Sequence, residues 1–156
     1  MPNEGIGAEY PLNDRIQIVF ILFFFIVWIL DSFMLRITAL SNGVISILIT
    51  VLIGVVFLIM GVYLIRTSHS VVFKPEEIKI IDTGVYGWVR HPMYLGELLF
   101  LLGLAITTFS LLSVVVWAAF FVFLDRMATF EEKELTRIMG QQYVDYRKRV
   151  RKWIPF

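Results

Sequence analysis

Val44-Ile-Ser-Ile-Leu-Ile-Thr-Val-Leu-Ile-Gly-Val-Val-Phe-Leu-Ile-Met-Gly-Val-Tyr-Leu-Ile65 contains no charged residue. As a helix it is long enough to cross a bilayer core of roughly 30 Å, which takes about 20 apolar residues. Gly54 and Gly61 stand seven apart, hence on one face, where missing side chains let a second helix come close. The composition agrees with a membrane chain. Hydrophobic residues make up 58% of 156, above the roughly one half of a soluble domain, and the surplus needs lipid to face.

Reading outward, Ile16 to Met34 is interrupted only by Gln17, Asp31 and Ser32. This run exceeds the ~7–15 apolar residues of a signal-peptide core and is expected to span. Downstream, Met93 to Leu124 is too long for one ordinary span. Thr107-Thr108-Phe109-Ser110 divides it into two short halves, predicting a tight helical hairpin that tilts or thins the bilayer. The expected fold is a single all-α integral membrane domain with four transmembrane helices over 16–34, 44–65, 93–107 and 110–125. The segments 66–92 and 126–156 lie outside the membrane. Of the fourteen basic residues, all but Arg36 then fall on one side. The positive-inside rule makes that side cytoplasmic and places both termini there.

The polar segments carry the chemistry. Ser70-Val-Val-Phe73 and Ile78-Lys-Ile-Ile81 are short β-branched runs around Lys74-Pro75-Glu76-Glu77, predicting a small hairpin or extended loop. In the tail, Leu135, Ile138, Met139, Gln142, Tyr143, Tyr146 and Val150 follow helical spacing. That predicts an amphipathic C-terminal helix with acids at its start and bases at its end, as the helix dipole prefers. Its basic end, with Trp153, suits anionic headgroups. Between these pieces lies Gly84-Val-Tyr-Gly-Trp-Val-Arg-His-Pro-Met-Tyr-Leu-Gly96, a border far richer in special groups than anchoring requires. Pro92 suits a first helical turn, whose free amides favour an anion. Glu97 lies seven residues past Arg90, and a carboxylate at that depth is costly unless paired. An Arg90–Glu97 ion pair is the expectation.

Much is excluded. The chain has no cysteine, so disulfides, thiol nucleophiles and thiolate metal sites are out. His69 and His91 do not make a metal centre, and no metal is expected. Gly5-Ile-Gly7 lacks the third glycine and preceding strand of a dinucleotide fingerprint. No feature points to nucleic acid or specifies an oligomeric state.

Gly84-Val85-Tyr86, then Arg90-His91-Pro92-Met93-Tyr94-Leu95-Gly96, then Glu131-Glu132, Leu135, Gly140, Tyr143, Tyr146, Val150 and Ile154-Pro155 resemble the isoprenylcysteine carboxyl methyltransferases and related integral-membrane phospholipid methyltransferases. The resemblance covers about half the chain, with two blocks in the family's order around a helical hairpin. It implies S-adenosylmethionine as cofactor and a lipid or prenylated small-molecule acceptor arriving laterally from the bilayer. It also implies cofactor contacts from Ile78, Lys79, Ile80, Ile81, Tyr86, His91, Pro92, Met93, Tyr94, Glu131 and Glu132. Arg90, Arg126 and Glu131 are implied at the reacting centre. The chain departs from the pattern at Ile78, where eukaryotic members commonly carry histidine, and at Met127, where an arginine is usual. Arg126 is one residue earlier, turned by roughly 100° on a helix. The acceptor implied first is the carboxylate of an isoprenylcysteine-like group, with a phospholipid amine second. Rivals of another class are an NADPH-dependent reductase of sterol-like lipids and a non-enzymatic membrane partner.

Overall fold

The computed structural model describes residues 13–38, 44–72 and 80–154. Five α-helices account for most of them: α1 (Asn13–Ile29), α2 (Val44–Val72), α3 (Pro92–Thr108), α4 (Leu111–Met139) and α5 (Gln141–Arg149). Among the described residues the only β-type pairing is an isolated parallel bridge between Val89 and Arg151. Three helical stretches are long and apolar enough to cross a membrane: Asp14–Met34, Ser46–His69 and Leu111–Met139. The fourth apolar helix, α3, has 17 residues, about 25 Å at 1.5 Å per residue.

α2 and α3 run antiparallel and meet on glycine. A Cβ added to Gly54 would lie 2.7 Å from the Gly103 carbonyl oxygen, and one on Gly61 would lie 2.7 Å from that of Gly96. Seen from the other side, Gly96 and Gly103 are equally close to the backbone of α2. The heptad spacing of Gly54 and Gly61 is thus matched by Gly96 and Gly103. No side chain separates the two backbones there.

α1 runs parallel to α3. Gln17 Nε2 donates to Glu97, and eleven residues on along both helices Trp28 Nε1 donates to Thr108 Oγ1 at 3.0 Å. The core lies between α1, α3 and α4, from Phe24, Leu98, Leu101, Ala105, Val116, Phe120 and Leu124. Phe20 stacks on Phe123 with centroids 5.1 Å apart. Beyond Ile29, α1 widens into a π-helical turn, Leu30–Met34. Asp31 is buried there, receiving hydrogen bonds from the Thr38 amide, the Thr38 hydroxyl and the Ser110 hydroxyl. Ser110 also caps α4 by accepting from the Ser113 amide. Phe109, at φ +54°, turns the chain between α3 and α4. The carboxylate that interrupts the first apolar run is therefore the knot tying α1 to that turn.

Three expectations need correcting. α2 continues to Val72, so Ser70–Val72 is helical rather than extended; β-branched residues cost a helix only tenths of a kcal/mol, up to about 0.7 each. The rest of that predicted loop, residues 73–79, lies outside the described residues. The tail does not begin a separate helix near Phe130, because α4 runs unbroken to Met139. Gly140, at φ +59°, then breaks the chain before α5. That break resets the helical phase, so Ile138 and Gln142 are exposed while Tyr143, Tyr146 and Val150 are buried. Finally, Glu97 pairs with Gln17, and Arg90 turns away from it to Glu132. Arg90 precedes the first turn of α3, so the same-face rule never applied to it.

Candidate functional site

Three pieces of chain distant in sequence meet at the start of α3. The first is the 3-10 turn Gly84–Gly87 with residues 88–91 after it. The second is the charged end of α4 beyond Leu124. The third is α5 with the tail following it, which crosses the first piece: the Arg90 amide donates to the Arg151 carbonyl at 2.9 Å, and Tyr146 Oη of α5 donates to the Tyr86 carbonyl at 2.7 Å. Lys152 Nζ reaches Asp125 Oδ1 at 2.6 Å, and Trp153 Nε1 reaches the same oxygen at 2.8 Å. The tail is thereby fastened to α4 about two turns before its acidic pair.

Glu132 is the centre of the charge cluster and is 5% exposed. Its Oε1 accepts from Arg90 Nε at 2.9 Å and lies 3.2 Å from His91 Nε2, while Oε2 is 3.6 Å from Arg147 Nε. Burial alone would raise its pKa, but hydrogen bonds from His91 and Arg90 overcome that and hold it at about 2. Arg90 also donates Nη1 to the Val150 carbonyl at 2.6 Å. The buried His91 is pushed below the ordinary histidine range by desolvation, with the Glu132 hydrogen bond opposing.

Glu131 faces the other side of the same imidazole, its Oε2 3.6 Å from His91 Nδ1. It accepts a hydrogen bond from the Tyr94 hydroxyl. The Tyr94 ring lies nearly parallel to His91, 4° apart with centroids at 5.7 Å, and Trp153 closes over His91 at 5.9 Å. The His91 side chain does not cap the start of α3, and the first amides of a helix have no acceptor within the helix itself. Burial raises the Tyr86 phenol, opposed by a hydrogen bond with Ser68 and reinforced by the Glu131 charge. Tyr86 therefore shares the electrostatic neighbourhood of Glu131. The arrangement can hold a ligand bearing both an anionic group and hydroxyls or an ammonium. It offers amides and cations for the former, and Glu131 and aromatic rings for the latter.

The sequence-derived residues divide accordingly. Arg90, His91, Pro92, Tyr94, Glu131 and Glu132 converge, and Met93 packs on the core side of the same turn. Ile80 packs beside Tyr143, Tyr146 and Val150, and Ile81 is half-buried. Ile78 and Lys79 lie outside the described residues. Arg126 is exposed and the buried position next to it is Met127, as the roughly 100° step requires. Arg147, Lys152 and Trp153 were read only as a basic, headgroup-facing end. No short spacing could have shown that they close the site, since their partners lie 15 to 62 positions away.

With that geometry in place, the sequence model of the phospholipid methyltransferase family matches residues 37–142. The chain belongs to the phospholipid methyltransferase family. Named relatives agree with this membership. The chain is 36% identical over 92 residues to a protein-S-isoprenylcysteine O-methyltransferase of Saccharomyces cerevisiae, covering 57% of this chain and 38% of the relative. It is 31% identical over 118 residues to protein-S-isoprenylcysteine O-methyltransferase B of Arabidopsis thaliana, covering 66% and 58%. It is 34% identical over 85 residues to the Mus musculus protein of the same name, covering 53% and 30%. The chain thus matches less than two thirds of each relative's length. No solved structure matches it. Its apolar helices and its place among the phospholipid methyltransferases make it an integral membrane protein.

Proposed function

We propose that this chain is an S-adenosylmethionine-dependent methyltransferase acting on an acceptor embedded in the bilayer. The observation that carries the reading is the convergence of His91, Tyr94 and Glu131 around the start of α3, in a chain of this family. We assign the methyl donor's carboxylate to the amides opening α3 and its ribose or ammonium to Glu131, with Tyr86 and the segment 78–81 alongside. Of the two acids, Glu131 takes the ligand role because it faces Tyr94 and the Nδ1 edge of His91 at the start of α3, while Glu132 holds Arg90 and Arg147.

The donor, when bound, supplies an electrophilic methyl group on a sulfonium. The chain's own work is positional. Tyr94 and His91 orient Glu131, Glu132 and Arg90 hold the tail over the site, and Trp153 excludes water. Fixing two reactants in line can itself account for most of such an acceleration.

The same reading includes four membrane crossings with both termini cytoplasmic. Parallel α1 and α3, each antiparallel to its neighbour, support it, as does the gathering of basic side chains at one end. For the acceptor, the relatives' names favour the carboxylate of an isoprenylcysteine-like group. A phospholipid amine is the second reading. It is favoured by buried Met127 and exposed Arg126, which leave no guanidinium at the inward position one turn before Glu131.

Isothermal titration of the detergent-purified protein with S-adenosylhomocysteine tests the donor. Saturable heat is expected, and none at high micromolar ligand would overturn the reading. Incubation with labelled donor and either a prenylcysteine analogue or phosphatidylethanolamine, followed by mass spectrometry, then separates the acceptors.

A further inference from the structure

Arg90, Val144, Arg147 and Lys148 line an open groove of about 270 Å³. We infer that this groove is a separate site for a phosphate-class anion, and that its natural occupant is the phosphate of an anionic lipid headgroup.

The charge count supports an anion. Three cations line the groove, and no acidic side chain does among the described residues. Arg90 is held by Glu132 through Nε, and Lys148 by Asp145 at 2.9 Å. Arg147 is only loosely engaged, its Nε 3.6 Å from Glu132 Oε2. Glu132 is thus shared among several cationic partners and leaves positive charge over. The groove lies by the C-terminal end of α5, where bare carbonyl oxygens would normally repel an anion. Here Arg90 Nη1 donates to the Val150 carbonyl at 2.6 Å and approaches that of Arg147 at 3.4 Å. The guanidinium therefore covers the negative end of the helix dipole and presents cationic charge in its place. Guanidinium and ammonium groups converging on one concavity suit a tetrahedral oxyanion, which accepts several charge-assisted hydrogen bonds at once.

The location selects a lipid over a free ion. α5, which carries Arg147 and Lys148, leads into the tail that Lys152 and Trp153 fasten to Asp125, the residue after the core residue Leu124. Basic side chains held at that level sit where anionic headgroups are concentrated. Arg90 and Arg147 are shared with the cluster around Glu132, whereas Lys148 and Val144 take no part in the site around Glu131, so variants at Lys148 separate the groove from the methyl-transfer reading.

The test uses the full chain, purified from membranes. Native mass spectrometry after exchange into micelles doped with phosphatidylglycerol or phosphatidylcholine should show a retained phosphatidylglycerol adduct and no equivalent phosphatidylcholine adduct. Lys148→Gln, which touches only exposed Asp145, should weaken retention about tenfold, as expected for one charge-assisted hydrogen bond. Arg147→Gln with Lys148→Gln should abolish it. Inorganic phosphate should raise the melting temperature of the wild type over chloride at equal ionic strength, and less so in Lys148→Gln.

Retention unchanged in both variants would overturn the proposal. So would an equal loss in Lys133→Gln with Arg137→Gln, which would mean diffuse surface charge. Phosphate stabilisation without lipid retention would overturn the lipid assignment. If Lys148→Gln weakened S-adenosylhomocysteine binding as much as it weakened lipid retention, the groove would belong to the donor pocket and the separate site would be refuted.

Discussion

The seam between α2 and α3 and the charge cluster between α3, α4 and the tail are mounted on the same helix and held by opposite physics. The seam is made by absence. Gly54, Gly61, Gly96 and Gly103 remove side chains, so backbone meets backbone and the contact is one of close packing without charge. The cluster is made by excess, with Arg90, His91, Arg147, Glu131 and Glu132 crowded into one place. A seam of this kind tolerates no added atom. A cluster of this kind tolerates no lost charge. α3 is thus fixed rigidly on one side and tuned electrostatically on another, a suitable mounting for the Tyr94 hydroxyl that donates to Glu131.

The comparison can be broken from either side. The largest effect is expected at Glu132. Replacing it with alanine leaves the Arg90 guanidinium, only 11% exposed, without its carboxylate, a loss of about 3–5 kcal/mol. Thermal unfolding in detergent should show it, and a variant as stable as the wild type would mean the cluster is not structural. Next comes Gly61→Ala. Its Cβ would lie 2.7 Å from both the Gly96 carbonyl oxygen and the Phe100 amide nitrogen, and overpacking of this kind costs about 1–3 kcal/mol. The same assay checks it; an unchanged midpoint would show that the seam can open without cost.

Glu131→Gln sharpens the contrast within the cluster. It should leave the fold intact and raise the S-adenosylhomocysteine dissociation constant about ten- to a hundredfold, the worth of a hydrogen bond to a charged group. Glu134, paired with exposed Arg137 at 2.8 Å, is the control. Equal losses for Glu134→Gln and Glu131→Gln would remove the ligand role.

The smallest effect is a pH dependence at His91. Burial lowers its pKa, with Glu132 opposing. On acidification the unfolded chain therefore takes up a proton there before the folded chain does. The stability this group contributes is complete above its unfolded value of about 6.5 and drains away as pH falls through the lower folded value. Melting temperature followed downward from about pH 7.5 to 5 should decline, and His91→Asn should flatten that part of the decline. An identical slope in the variant would exclude His91 as its source.

How much of this was readable in the chain follows the same divide. The seam was legible because helical geometry converts a seven-residue interval into a shared face, and only one helix is needed to see it. The lining of the site was legible because Arg90 to Tyr94 are contiguous and Glu131 and Glu132 adjacent. What joins those two blocks was not. Glu97 looked like a partner for Arg90 by helical spacing, but Pro92 begins the helix, and the first residue of the supposed pair lies outside it. Asp31 looked like a blemish in an apolar run, since Thr38 and Ser110 meet it only after the bundle closes. The continuity of α4 was hidden because the composition changes from apolar to charged at Asp125 while the backbone does not change at all.

That continuity makes α4 a depth gauge. Leu124 belongs to the buried core and Glu131 to the polar site, and seven helical residues hold them about 10 Å apart along the axis. No loop intervenes to absorb variation. Under the proposed function a donor held at Glu131 is therefore fixed in depth relative to the core. An acceptor whose tail stays in the lipid must carry its polar end to that depth on a stem of matching length. Shorter or longer homologues would be rejected by reach alone, without any pocket wall having to touch them.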